Sequence, residues 1–119
     1  MNKSEWKPIL REYLKRNPAS SFAHISNLEG AKGNNIYCNA DDENIVFWIN
    51  LDSELVEAMI EMKKDGEIFF NPVYDKLGML MLGGSLRMPL VKPNLKEGFK
   101  KHKTEHWLPV TVNLTEKDK

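Results

Sequence analysis

His102 and His106 stand four residues apart, the spacing that puts two imidazoles on one face of a helix, as some zinc sites require. Glu105 is the one carboxylate beside them, and the stretch KHKTEHW holds no cysteine. The set falls short of a ligand sphere, and no metal is expected. Cys38 sits in a strand-like stretch with no assured His or Lys neighbour, so it reads as a small hydrophobe and not as a nucleophile. His24, beside Phe22 and Ile25, reads as a structural histidine. Asp41-Asp42-Glu43 crowd three carboxylates into one turn but lack the glycine and spaced oxygens of a calcium loop. Gly83-Gly84-Ser85 suggest an anion nest. They lack the following helix and the lysine of a P-loop, and a hairpin turn accounts for both glycines. No catalytic residue and no cofactor emerge, so the expectation is a protein that is not an enzyme.

Charge gives the next lead. The formal net charge is +0, but it is unevenly placed. Residues 1–34 hold six Lys and Arg against three acids, and residues 86–107 hold six against two. Residues 35–75 hold ten acids against two lysines. Such a split can present a basic patch to a polyanion, or it can neutralise itself within the fold or across a dimer. The basic candidates for nucleic-acid binding are Lys7, Arg11, Lys15 and Arg16, then Arg87, Lys92, Lys96, Lys100, Lys101 and Lys103. Phe99 and Trp107 near the second set could stack on unpaired bases or anchor the C-terminal segment to the core.

The elements that must position these residues centre on Leu51–Val73. Asp52 is a credible N-cap, Leu51 and Val56 form a hydrophobic staple, and Leu55, Met59 and Met62 continue an apolar stripe over helix 52–65. Gly66 ends that helix and Glu67–Phe70 reads as a strand. Upstream, Ser4–Arg16 reads as a helix capped by Ser4, and a shorter one follows Ser20 or Ser21 and closes at Gly30. Asn35–Cys38 and Ile45–Leu51 read as a hairpin around the acidic turn 39–44, the second strand apolar enough to be central. Downstream, Met79–Leu82 and Leu86–Val91 read as strands about Gly83-Gly84, with Pro89 making the latter an edge. Pro93–Thr104 is polar and basic, Leu108–Leu114 a last strand, and 115–119 a frayed tail.

Length and composition bound the whole. A chain of 119 residues, 41% hydrophobic and 29% charged, suffices for one domain, here 1–114, with a core of its own. One cysteine and no signal-peptide pattern over 1–18 make the cytoplasm the expected location. No apolar run reaches the roughly 18 residues of a membrane span.

Helix, short helix, capped helix ending in Lys-Asp-Gly-Glu-Ile, then a hairpin: over residues 4–91 this order resembles a winged helix-turn-helix domain. Leu55, Met59, Met62, Gly66 and Ile68 stand where such domains carry their stripe, glycine and wing entry. The resemblance implies an α+β fold with antiparallel hairpins, and DNA binding. The chain departs from the pattern in its hairpin at 35–51, and the face of the decisive helix carries Glu54, Glu57 and Glu61, which would repel phosphates. Two functions therefore stay open. One is a nucleic-acid-binding or accessory module using the basic residues. The other is a protein-interaction or self-associating module using Glu54, Glu57 and Glu61 or the Met-rich edge 77–88, with Met79, Met81 and Met88.

Overall fold

Asn2, not Ser4, opens the first helix. In the computed structural model, which describes residues 1–75, 78–79, 82–84, 86–91 and 104–115, α1 spans Lys3–Arg16. Asn2 Oδ1 accepts the Glu5 amide at 2.9 Å and Glu5 reaches back to the Asn2 amide, a complete capping box. Pro8 lies inside the helix and leaves one carbonyl of the preceding turn without its usual donor. Trp6, Leu10 and Leu14 form the buried stripe, while Ile9 is over one-third exposed.

β1 (Ser20–Ser21) leads into the four-residue α2 (Phe22–Ile25), capped by Ser21 Oγ accepting the His24 amide at 3.2 Å. β2 (Lys32–Cys38) and β3 (Ile45–Leu51) form the expected antiparallel hairpin, with three register shifts that bend β2. At Gly33 a side chain is impossible: a Cβ would lie 2.6 Å from the Leu51 carbonyl oxygen.

α3 (Ser53–Lys64) follows at once. Asp52 caps it, Leu51 and Val56 are both buried, and Leu55, Met59 and Met62 reach the core with 1% exposure or less. Its end is a Schellman motif: Gly66 at φ +77° donates to the Lys63 carbonyl and Glu67 to that of Met62.

β4 (Ile68–Pro72) pairs with β6 (Val110–Leu114) from Ile68↔Leu114 to Pro72↔Val110. β1 joins the other side of β6, so the first sheet runs β1-β6-β4. Glu67 and Val73 both bond across to the β6 side, at Thr115 and Pro109. By alternation Pro72 turns its nitrogen to the free edge, where a missing N–H costs nothing. The second sheet runs β2-β3-β5, with β5 (His106–Trp107) parallel to β3.

The described residues thus form a small α+β domain of three helices and six strands in two small sheets. α1 packs on α3, and Phe22, Tyr37, Phe47 and Phe70 meet edge to face between the sheets at 5.0–5.7 Å. Burial pushes the Tyr37 hydroxyl far above its ordinary range. The Lys63 ammonium lies 4.5 Å from the Phe70 ring centre and 5.2 Å from that of Phe47, roofing this cluster.

Three expectations need correction. Gly78 and Met79 are helical and Leu82 lies in a turn closed onto the Met79 carbonyl, so neither end of the expected strand Met79–Leu82 is extended, and residues 80–81 lie outside the described residues. Of 86–91, only Leu90 makes a β-bridge, in parallel to Trp107. The strand after α3 finds its partner in β6, beyond both. Thr115, expected to fray, donates its amide to Glu67 and its hydroxyl to Gly66. Residues 92–103, with the turn foreseen around Leu95 and Phe99, and 116–119 lie outside the described residues.

Candidate functional site

Lys7 and Arg11, the first half of the basic ridge on α1, face acids of the same fold. Lys7 Nζ lies 3.1 Å from Glu61 Oε1, and Lys3 Nζ 2.8 Å from Glu61 Oε2. Arg11 forks onto Glu67 through Nε and Nη2 at 3.1 and 3.0 Å. Hydrogen bonds from Lys3 and Lys7 hold the Glu61 carboxyl below its ordinary value, and the Lys3 amine is raised in turn. Part of the charge split along the sequence is therefore internal neutralisation between α1 and the α3–β4 unit.

The other foreseen residues do not converge with these. Lys15, Arg16 and Arg87 are exposed, Arg16 pairing with Glu12 one turn back. Lys92, Lys96, Lys100, Lys101, Lys103 and Met81 lie outside the described residues. A hydrogen bond with Glu57 raises the Glu54 carboxyl, and Lys3, paired with Glu61, is raised by Glu57 and Glu54 as well, so one lysine is shared among the three. Met79 and Met88 are half-buried. His106 sits in β5 with Nδ1 2.7 Å from the Thr104 carbonyl, so the helical face assumed for His102 and His106 does not exist at His106. His102 is outside the described residues. Among the described residues, no helix is long and apolar enough to cross a membrane.

What the fold does assemble is a cleft where α2, β3, β5 and the 82–84 turn meet. Its walls include Ala23, Trp48, Leu82, Gly84, Trp107 and Val110, and the space it encloses is about 10 Å³, room for a single water. The rings of Trp48 and Trp107 are tilted by 59° with centres 6.1 Å apart. Trp107 is buried, its Nε1–H donating to the Phe47 carbonyl at 3.2 Å, while Trp48 is half-exposed.

Ser21 and His24 stand at this cleft in an arrangement that invites a catalytic reading, and a count of protons removes it. Ser21 Oγ lies 2.6 Å from the Leu82 carbonyl oxygen and 2.7 Å from His24 Nδ1. A carbonyl only accepts, so the one hydroxyl proton goes to Leu82. The contact with Nδ1 then needs its proton on the imidazole, which donates to Oγ. His24 is thus no base toward Ser21, as a nucleophile–base pair requires. The hydroxyl's second accepted bond, from the His24 amide, completes its capping role.

The sequence reading missed this cleft. Trp48 and Trp107 are 59 positions apart, and only the parallel β3–β5 pairing brings them together. The one signal present was a tryptophan in the otherwise aliphatic and phenylalanine run Ile45–Ile49. Comparisons with protein-family models, curated proteins and solved structures find no match to this chain.

Proposed function

We propose that this domain is a non-enzymatic protein-interaction module that packs an apolar side chain of a partner against Trp48, beside the 82–84 turn. The observation that carries this reading is the cleft's lining, with Trp48 half-exposed at its rim. Its enclosed space, about 10 Å³, is that of a single water and far below the roughly 300–1,000 Å³ of small-molecule sites, so a partner would rest on its rim against the half-exposed Trp48. Its polar wall groups are already engaged, Ser21 with Leu82 and Trp107 with Phe47, so it offers a guest mainly apolar contact. The surface belongs to the Met-rich edge 77–88 through Leu82. The nucleic-acid reading draws less support, because Lys7 and Arg11 hold Glu61 and Glu67.

The test is peptide display on the folded protein, followed by titration of the enriched peptides against wild type, Trp48→Ala and Gly84→Ala. A Cβ on Gly84 would stand 3.6 Å from Trp48 and 3.3 Å from Ala23, narrowing the cleft. Peptides sharing one apolar anchor, and losing affinity on both variants at unchanged melting temperature, are the expected result. Peptides indifferent to both substitutions would overturn the reading. So would oligonucleotide binding that weakens steeply with salt and outcompetes every peptide.

A further inference from the structure

We draw no further inference here: the strongest candidate, the outer edge of β4 with Phe69 exposed beside it, carries nothing because Ile68 on that edge is itself buried and nothing in the structure shows what covers it.

Discussion

The indole Nε1–H of Trp6 donates to Asp52 Oδ2 at 3.1 Å, and the same oxygen accepts the Leu55 amide at 3.2 Å. One carboxylate oxygen thus caps α3 and holds α1 against it. Asp52→Ala should remove the cap, worth about 0.5–2 kcal/mol, and strand an indole N–H in the core for a further 1–3 kcal/mol or so. Trp6 is 0% exposed, and Asp52 is the partner its indole N–H has in the fold. Asp52→Asn keeps an acceptor and should lose much less. Urea unfolding of both variants checks this; equal losses would show that the indole bond contributes little.

Gly33 and Gly66 make a contrasting pair. At Gly66 a methyl group meets nothing within 4 Å, and the cost of alanine is the left-handed backbone alone, about 1 kcal/mol. At Gly33 the methyl meets backbone atoms of Leu51 and Asp52 at 2.6–2.9 Å, which cannot swing aside. Gly33→Ala should therefore be the more damaging by a wide margin, seen as a larger fall in melting temperature or as loss of soluble protein.

Ala19 holds φ +56° without being glycine. For a residue with a Cβ that region costs roughly 1–2 kcal/mol. Ala19→Gly should raise stability, by less than that amount because glycine also loses more freedom on folding. A denaturation midpoint that falls would show that the alanine methyl contributes packing that outweighs the strain.

The carboxyls of α3 respond to pH in opposite senses. Glu61 is held below its ordinary 4.5 by Lys3 and Lys7, so its contribution is present above that value and is lost as pH falls through the folded value. Glu54 is raised above 4.5 by Glu57, so its ionised form opposes folding at neutral pH. Glu61→Gln should lower the melting temperature at pH 7 and leave it unchanged near pH 2. Glu54→Gln should raise it at pH 7. Both effects are small, as befits solvent-exposed groups. Matching behaviour of the two variants at pH 7 would contradict the assignment.

What could be read from the sequence was local. Asp52, the Leu51–Val56 staple and Gly66 act within one turn of the helix they bound, so α3 was legible to within a residue. The β2–β3 hairpin was legible for the same reason. β4 finds β6 some forty positions later, and no feature of Ile68–Phe70 distinguishes that partner from the nearer apolar run at 79–82. At α1 the sequence reading takes Ser4 as the cap, whereas Asn2 holds that place, and Glu5 three residues on completes its capping box. The candidate site was least legible of all. Lys7 and Arg11 look like a free basic ridge until Glu61 and Glu67 face them, and Trp48 meets Trp107 only through a parallel strand pair.

The central strand of the first sheet is β6, flanked by β1 and β4, which both precede it. During synthesis at about 5–20 residues per second, β4 therefore waits roughly 2–8 s for the strand that covers its flank. Through that interval Phe22 and Phe70, which meet between the completed sheets, have only the β2–β3 hairpin to pack against. A ribosome stalled in the low hundreds of this message would hold out a sticky, chaperone-dependent intermediate, and a chain cut before Val110 would be cleared as unfolded instead of persisting as a shorter domain.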